Sequence, residues 1–367
     1  MFAERADRVR TRMAELGVDA VLLSVGPDLP YLTGYEAMPL ERLTMLVLPR
    51  DGRATLVIPR LEAPRVVERP DVFRVLPWEE TQDPIAMVAG LVGAAGASLA
   101  IGDRTWARFV VDLQCALPTA TWTKASTVVG PLRARKDARE IDALRRAGAA
   151  VDRIAADLQA GEIELVGRTE AQVSAELGRR ILAEGHHRVN FAIVAAGANA
   201  ASPHHEPSDR VISEGEAVLC DFGGTMFDDA GIGYCSDITR CVFVGEPAPE
   251  VAEAYAVLLD AQQAAVRAAW VGTTCEEVDA TARRLITEAG WGEQFIHRTG
   301  HGIGIEEHED PYIVHGNSTP LQPGHAFSIE PGIYVAGRFG FRLEDIVVAT
   351  DAGPDPLNNA DHDLALL

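Results

Sequence analysis

The chain has few cysteines, few basic residues and no long apolar run. Its 367 residues include only five cysteines, at positions 115, 220, 235, 241 and 275. Because these cysteines form no CxxC pair, the sequence disfavours a zinc finger or a disulfide framework and predicts buried thiols in a reducing cytoplasm. Only 33 Lys and Arg face 54 Asp and Glu, a net charge of −21. This deficit of positive charge argues against a nucleic-acid partner and against binding to an anionic membrane.

No segment has the form of a targeting signal or a membrane span. Residues 2–16 carry charges throughout and have apolar residues at helical spacing, which is typical of an amphipathic helix and not of a signal peptide. Residues 86–102 form the most apolar stretch, but glycine and serine interrupt it and it is too short to span a bilayer. We interpret this stretch as a buried helix that runs into a strand, and we predict a cytoplasmic protein.

Several common catalytic signatures are absent as well. The sequence contains no GxxxxGK[ST] phosphate loop and no GxSxG nucleophile elbow. The string HEDPY at His308 lacks the second histidine of HExxH, and the glycines of TGHGIG do not match a dinucleotide fingerprint. The chemistry therefore has to come from another set of residues.

The length and the pattern of apolar residues predict two domains. Residues 1–130 alternate helix-like and strand-like segments, which favours an α/β domain with a largely buried sheet. Pro131 and the basic residues after it mark the expected hinge. Residues 131–367 combine helices near 137–160, 169–184, 249–270 and 275–289 with hairpin-like strands such as AFSIEPGIYV, which favours an α+β domain.

Four carboxylates and one histidine lie at the edges of apolar runs in the second half of the chain: Asp221, Asp237, His301, Glu330 and Glu344. Burying an isolated carboxylate costs several kcal/mol, and basic side chains near these acids in the sequence are few. Taken singly, each acid is better explained as a turn, cap or surface residue. The five together favour a pair of divalent cations, with Mn, Co, Zn or Fe as candidates. Such a pair generates a hydroxide at neutral pH and polarises a carbonyl under attack.

The longer strings around these residues carry a family resemblance. SPHH, CDFGG, GYCSDITR, HRTGHGIGIEEHE and SIEPGIYVAGRFGFRLED occur in order, after YLTGY near the N-terminus. In them the chain resembles the proline-specific branch of the methionine-aminopeptidase-like, or pita-bread, metallopeptidases, the Xaa-Pro aminopeptidases and Xaa-Pro dipeptidases (prolidases). The resemblance implies a creatinase-like α/β domain over residues 1–130 and an α+β pita-bread catalytic domain over residues 131–367. It also implies a homodimer and a preference for manganese.

The resemblance assigns roles position by position. It makes Asp221 the chelating ligand of one metal, places His301 and Glu330 on the other, and lets Asp237 and Glu344 bridge both. Glu330 also matches the acid that shuttles protons. The remaining matched residues bind substrate: His204 and His308 hold the carbonyl and the tetrahedral intermediate, and His297 and Arg342 shape the proline site. The resemblance assigns no role to His186, His187 or His205.

The chain departs from the family in one segment. The family usually separates its first two aspartates by fewer residues than the 16 positions between Asp221 and Asp237. The extra residues fall in TMFDDAGIG, where a longer hairpin can absorb them without moving the ligands. Asp228 and Asp229 lie in this segment, but GYCSDITR is the matching string, so we retain Asp237 as the ligand.

The implied function is hydrolysis of the Xaa-Pro bond in a dipeptide or short peptide through a metal-bridging hydroxide. The sequence leaves dipeptidase and aminopeptidase activity open. Two alternatives are a hydrolase of another small amide, ectoine-type or creatinase-like, and a non-catalytic binding module of the same fold. Retention of all five ligands weighs against a creatinase-like enzyme and against a binding module.

Overall fold

The computed structural model describes residues 1–93 and 95–367. The chain folds as two compact units. The first comprises Met1–Arg133 together with Asp229–Ile232, and the second comprises Ala134–Asp228 together with Gly233–Leu367.

The first unit is built on a six-stranded mixed sheet with the order β4-β3-β2-β1-β5-β6. Its strands are β1 Ala20–Leu23, β2 Met45–Pro49, β3 Ala54–Pro59, β4 Phe73–Trp78, β5 Ser98–Ile101 and β6 Thr121–Lys124. Its helices are α1 Phe2–Leu16, α2 Asp28–Thr33, α3 Pro84–Val92, α4 Ala107–Ala116 and α5 Ser126–Ala134. Strands β1 and β3 are buried along their whole length, which explains why they read as nearly continuous apolar runs.

Two details of this unit differ from the expectations. Helix α3 has only Val88 fully buried, so the apolar stretch 86–102 begins in a partly exposed apolar helix before strand β5, with residue 94 outside the described residues. Pro131, which we expected at a hinge, lies inside helix α5.

The second unit contains four long helices, and three of them begin at a capping box. These helices are α6 Ala138–Gln159, α7 Glu170–Ala183, α8 Pro249–Ala268 and α9 Cys275–Glu288. In α6, α7 and α9 the side chain of the residue before the helix accepts a hydrogen bond from the backbone amide of the third helical residue. The side chain of that third residue in turn accepts a hydrogen bond from the backbone amide of the residue before the helix. These caps satisfy amide groups that a helix leaves without partners, and they set where each helix begins.

Two sheets and a short hairpin complete the second unit. One sheet has the order β18-β10-β8-β7, with β9 paired to β8, and the other has the order β12-β11-β13-β16-β17. The strands of the first sheet are β7 Arg188–Ala196, β8 Ala217–Phe227, β9 Gly233–Cys235, β10 Ile238–Phe243 and β18 Ala365–Leu366. The other strands are β11 Gly300–Gly302, β12 Glu309–Ile313, β13 Ala326–Ile329, β14 Gly332–Val335, β15 Phe339–Arg342, β16 Asp345–Thr350 and β17 Gly353–Pro356. The run AFSIEPGIYV, expected as one strand, is two strands, because Pro331 has no amide hydrogen for a ladder and the chain turns there.

The four helices of the second unit pack in two pairs. Apolar residues of α6 and α7, such as Ile154 and Leu177, pack with Val218 and Ile238 of the first sheet. Apolar residues of α8 and α9 form a separate cluster with strands of both sheets. The helices and the two sheets therefore share two buried apolar clusters.

The five cysteines are free thiols. Four of them are buried as expected, whereas Cys115 is exposed on α4. Of the helices in the described part of the chain, none combines the length and the apolar character needed to cross a membrane.

Candidate metal centre and substrate cavity

One cavity of the second unit, of about 360 Å³, gathers every residue that the sequence singled out for the site. The nine residues in question all line it: His204, Asp221, Asp237, His297, His301, His308, Glu330, Arg342 and Glu344. Phe191, Ile193 and Pro203 add an apolar wall, and Arg298 and Glu307 add charges that the sequence did not predict there.

The register of strands β8 and β10 places the two aspartates. Asp221 lies opposite Thr239 in this antiparallel pair, and Asp237 immediately precedes β10. The extra residues between the aspartates extend a hairpin in which Thr225 pairs with Cys235 and Phe227 with Gly233. Because the extension lies at the far end of β8, the register at Asp221 is unaffected. Neither Asp228 nor Asp229 lines the cavity.

His301 lies in β11 at an irregularity of the pairing with β12. Its neighbours are glycines because other backbone atoms come too close for a side chain. A Cβ on Gly300 would lie 1.8 Å from the carbonyl oxygen of Ser328, and one on Gly302 would lie 2.3 Å from that of Asp310. The bulge and the two glycines together direct the imidazole into the cavity.

The ring nitrogens of His301 have different surroundings. Nδ1 lies 3.1 Å from the carbonyl oxygen of Gly302, so a proton on Nδ1 satisfies that carbonyl. Nε2 lies 3.2 Å from Oε1 of Glu330, to which it donates a hydrogen bond when protonated, and 3.9 Å from Oδ2 of Asp237. Without that proton, the lone pair of Nε2 is available to a cation. A backbone carbonyl that fixes the imidazole tautomer in this way is typical of a histidine metal ligand.

The last two carboxylates come from the ends of strands. Glu330 follows β13, and the hydroxyl of Ser328 donates to its Oε1 at 3.2 Å. Glu344 lies between β15 and β16 and forms an isolated bridge with Thr239, whose hydroxyl donates to its Oε2 at 2.7 Å. Thr239 therefore lies next to both acids: it pairs with Asp221 across the two strands, and its hydroxyl binds Glu344.

The carboxylate and imidazole groups of the cavity fit a bound cation. Ligand atoms of Asp237, His301 and Glu344 lie within 4.8 Å of one another, and all three residues are buried. Among the described residues, no hydrogen-bond donor reaches Oδ1 of Asp221, Oδ1 of Asp237 or Oε1 of Glu344. Buried carboxylate oxygens without donors are costly, and a divalent cation removes that cost by direct coordination.

The pKa values of these acids reflect the crowding of negative charge. Burial raises the pKa of Asp237 well above its usual value, and the charges of Glu344 and Asp221 raise it further. Burial likewise raises the pKa of Glu344 and that of Asp221, although Arg342 partly opposes the shift at Asp221. Glu330 is different: burial raises its pKa, but the hydrogen bond from His301 and other nearby positive charge outweigh burial and leave it low.

Arg342 connects the carboxylate cluster to His297 through Tyr334. Its guanidinium donates to Oδ2 of Asp221 at 2.5 Å, to the hydroxyl of Thr239 at 3.1 Å and to the hydroxyl of Tyr334 at 2.9 Å. The Tyr334 hydroxyl lies 2.9 Å from Nε2 of His297, whose Nδ1 lies 2.6 Å from the carbonyl oxygen of Arg298. The tyrosine therefore accepts from arginine and donates to histidine, which fixes the His297 tautomer.

Tyr334 and Thr239 are site residues that the sequence reasoning missed. Tyr334 lies in the apolar string GIYV and reads as an ordinary core residue of a strand. Thr239 reads as a β-branched residue of β10. Thr239 lies 103 positions before Arg342, so no local pattern indicates their contact. Tyr334 meets Arg342 across the β14–β15 hairpin, but its other partner, His297, lies 37 positions earlier.

His204 and His308 lie at the exposed rim of the cavity. The ring of His308 packs edge-on against His301, with centroids 4.1 Å apart. Burial, His301 and Arg298 lower the pKa of His308 to about 4, so its imidazole is neutral at neutral pH. A neutral imidazole can donate a hydrogen bond to a carbonyl oxygen in the cavity.

Comparisons with known proteins bear on the family and the fold. Residues 142–351 match the model of metallopeptidase family M24, and residues 5–135 match the creatinase/prolidase N-terminal domain. The chain belongs to metallopeptidase family M24. The fold is therefore the expected one, a creatinase-type α/β N-terminal domain followed by a pita-bread catalytic domain.

The relatives are similar over almost their whole length. The probable dipeptidase PepE of Mycobacterium tuberculosis is 44% identical, and the match covers 100% of this chain and 97% of the relative. An Xaa-Pro dipeptidase of Lactobacillus helveticus is 36% identical, with 98% of each chain covered. The crystal structure of a recombinant prolidase from Thermococcus sibiricus matches with a TM-score of 0.93 at 37% identity, covering 100% of this chain and 99% of the other. M24 metallopeptidases use divalent metals, in accord with the donor set described above.

Proposed function

We propose that this protein is a metal-dependent peptidase that hydrolyses the Xaa-Pro bond of dipeptides. The proposal depends on three buried carboxylate oxygens that accept no hydrogen bond among the described residues, one each on Asp221, Asp237 and Glu344. They line the cavity that also holds His301 and Glu330. Two relatives, the Lactobacillus helveticus dipeptidase and the Thermococcus sibiricus prolidase, are named for this specificity.

The five ligand-type residues would hold two divalent cations. Asp221 would bind one ion, His301 and Glu330 the other, and Asp237 and Glu344 both. When bound, the cations would lower the pKa of a water molecule and polarise the scissile carbonyl.

The other cavity residues supply binding and proton transfer. Glu330, with its lowered pKa, is ionised at neutral pH and accepts a proton at a carboxylate oxygen. It then gives the proton to the proline nitrogen as that nitrogen leaves. The neutral His308, together with His204, donates a hydrogen bond to the substrate carbonyl oxygen, where negative charge develops. His297, held by Tyr334, faces the leaving proline ring.

Arg298 favours a dipeptide over a longer peptide. Its guanidinium lines the cavity and lies over the ring of Tyr312, 4.5 Å from the centroid. In the part of the chain that the structure describes, no carboxylate forms an ion pair with it. A dipeptide has its own carboxylate directly on the proline, which a guanidinium binds by charge-assisted hydrogen bonds. A longer peptide has a neutral amide there.

The test is reconstitution of metal-free protein with Mn or Co, followed by assays on a matched substrate series. We expect Xaa-Pro dipeptides to be cleaved, and replacement of proline by alanine to lower kcat/KM by at least about 100-fold, or about 2.7 kcal/mol. Equal cleavage of Xaa-Ala and Xaa-Pro by metal-loaded protein would contradict the proline specificity and leave a broader metallopeptidase.

Arg298→Gln tests the dipeptide preference. We expect it to raise KM for Xaa-Pro about 10- to 100-fold, because a charge-assisted hydrogen bond contributes about 1.5–3 kcal/mol. The same substitution should leave amidated Xaa-Pro unchanged. Arg284→Gln, which removes an exposed arginine of α9, is the matched control. An equal effect of Arg298→Gln on the free acid and on the amide would contradict the assignment.

Four further properties remain proposals: a preference for manganese, a homodimer, a cytoplasmic location and a domain boundary between residues 130 and 131. Light scattering on the purified protein tests the dimer, and limited proteolysis tests the boundary. Activity measured with each metal at matched occupancy tests the manganese preference, and cell fractionation tests the location.

A further inference from the structure

Glu170, the first residue of helix α7, is a fully buried acid outside the cavity. Its carboxylate accepts hydrogen bonds from the last residue of strand β7 and from the segment that follows it. The donors are the Ala196 amide at 2.9 Å, Nδ2 of Asn199 at 3.0 Å, Nε2 of His205 at 2.8 Å, the Ser208 amide at 3.1 Å and the Ser208 hydroxyl at 2.6 Å.

These hydrogen bonds keep the buried acid ionised. Burial raises the pKa of Glu170, but the donors of Ser208, Ala196 and His205 outweigh burial and lower the pKa below its usual value. Among the described residues, the only ion-pair partner of Glu170 is His205. A buried carboxylate with this many donors and no Arg or Lys partner fixes the backbone that carries the donors.

The fixed backbone is the loop that presents His204 to the cavity. The donors span residues 196–208, and His204 lies between Pro203 and His205 on this loop. His205 is held by Glu170 on one side, and the carbonyl oxygen of Pro203 accepts from Arg342 at 3.2 Å on the other. His204 itself is exposed, so its place at the rim is set by these two neighbours.

We propose that Glu170 is a positioning residue for His204: the buried carboxylate holds the 196–208 loop so that the exposed imidazole faces the substrate carbonyl. The proposal rests on the proposed function for the role of His204 in hydrolysis. The placement of the loop by Glu170 does not depend on which bond is cleaved.

The central experiment is a double-mutant cycle with metal-loaded protein. Glu170→Gln removes the charge, and we expect kcat/KM for the best peptide substrate to fall about 10- to 100-fold, since a 1 Å misplacement can cost about 100-fold. Metal content should stay unchanged. In a His204→Ala background, Glu170→Gln should have almost no further effect, because the group it positions is gone. An equal loss in both backgrounds would overturn the proposal.

Glu176→Gln is the matched control, because Glu176 lies on the same helix but pairs with Arg168 and Arg180 at the surface. We expect its kcat/KM to stay within about twofold of wild type. If Glu170→Gln does not fold, His205→Gln replaces it; this variant removes one hydrogen bond, and its smaller loss should likewise disappear in the His204→Ala background.

Hydrogen exchange separates this proposal from the proposed function. Amides of residues 197–208 should exchange at least about tenfold faster in Glu170→Gln than in wild type, with the other segments unchanged. This readout stands even if no Xaa-Pro peptide is cleaved. Unchanged exchange in the loop would overturn the proposal whatever the activity.

Discussion

Glu344 and Asp345 are consecutive carboxylates with similar burial, at 1% and 2% exposure, but their surroundings are opposite. One oxygen of Glu344 accepts from Thr239, and the other has no donor among the described residues. Both oxygens of Asp345 have partners: Arg240 donates to one at 2.8 Å, while Gln262 and His362 reach the other at 2.8 and 2.6 Å.

The pKa values follow this difference. Burial and the charges of neighbouring acids raise the pKa of Glu344 well above its usual value. Burial also raises the pKa of Asp345, but Arg240 and His362 outweigh burial and lower it. The charge of Asp345 is thus balanced within the protein, whereas Glu344 has no such counter-charge and is available to a cation. The number of hydrogen-bond donors, and not burial, separates the structural carboxylate from the proposed metal ligand.

The largest expected effect is on the carboxylates without donors. Asp237→Asn should lower kcat/KM by at least about 1,000-fold, or about 4 kcal/mol, because an amide cannot supply the ligand charge. Metal bound per chain, measured by mass spectrometry, should fall with it. Asp228→Asn in the hairpin is the control and should retain wild-type metal content and activity. The reverse ranking would show that the hairpin aspartate is the ligand.

The next largest effect is on the stability of the fold, and it concerns Asp345, whose two carboxylate oxygens both have hydrogen-bond partners. Asp345→Asn should lower the free energy of unfolding by about 3–5 kcal/mol, because it leaves Arg240 buried without its counter-charge. Urea denaturation of metal-free protein measures this. Asp355→Asn, which removes an exposed partner of Arg145, should stay within about 1 kcal/mol of wild type. Similar losses for the two variants would remove the contrast that we draw.

Metal binding should stabilise the protein through carboxylates that lack hydrogen-bond donors, such as Glu344, and not through Asp345. Mn at about 100 times its Kd should add about 2.7 kcal/mol to the stability of wild type. The gain should be lost in Glu344→Gln and retained in Asp345→Asn, as measured by the melting temperature with and without chelator. A full metal gain in Glu344→Gln would show that Glu344 is not a ligand.

The smallest effect concerns Glu170, the second satisfied carboxylate. Its folded-state pKa is below the ordinary value of 4.5, so its stabilising contribution is present above that value. The contribution is lost as the pH falls through the lower folded-state pKa. The stability difference between wild type and Glu170→Gln should therefore shrink from about pH 7 to about pH 3. A difference that is constant over this range would contradict the assignment of an ionised carboxylate.

Periodicity and apolar runs were sufficient for the helices and most strands of the catalytic unit. The helix expected near 249–270 is Pro249–Ala268, because its apolar spacing, charged first turn and Pro start are all local signals. Asp221, Asp237 and Glu344 could also be singled out from the sequence, since each lies at the edge of an apolar run. The position of Pro131 inside helix α5 could not be predicted from the sequence, because the packing that tolerates a proline there is not local.

The residues that support the site were beyond sequence reasoning. Glu170 reads as an ordinary acid in the first turn of a helix, where it complements the helix dipole. Its actual partners lie up to 38 positions away and meet it only when the 196–208 loop folds back. Tyr334 is similar in one of its contacts, because His297 reaches it from 37 positions earlier, whereas Arg342 lies on the paired strand of the same hairpin. Position in the chain gives no indication of the long-range contacts.

Arg240 carries a consequence for the order of events during synthesis. This buried side chain donates to the carbonyl oxygens of Glu344, Ala360 and Asp361, so it joins strand β10 to a segment more than a hundred positions later. At about 5–20 residues per second, a ribosome takes roughly 6–25 s to proceed from Asp221 to Glu344. The cluster of Asp221, Asp237 and Glu344 therefore cannot assemble before this later segment has been synthesised.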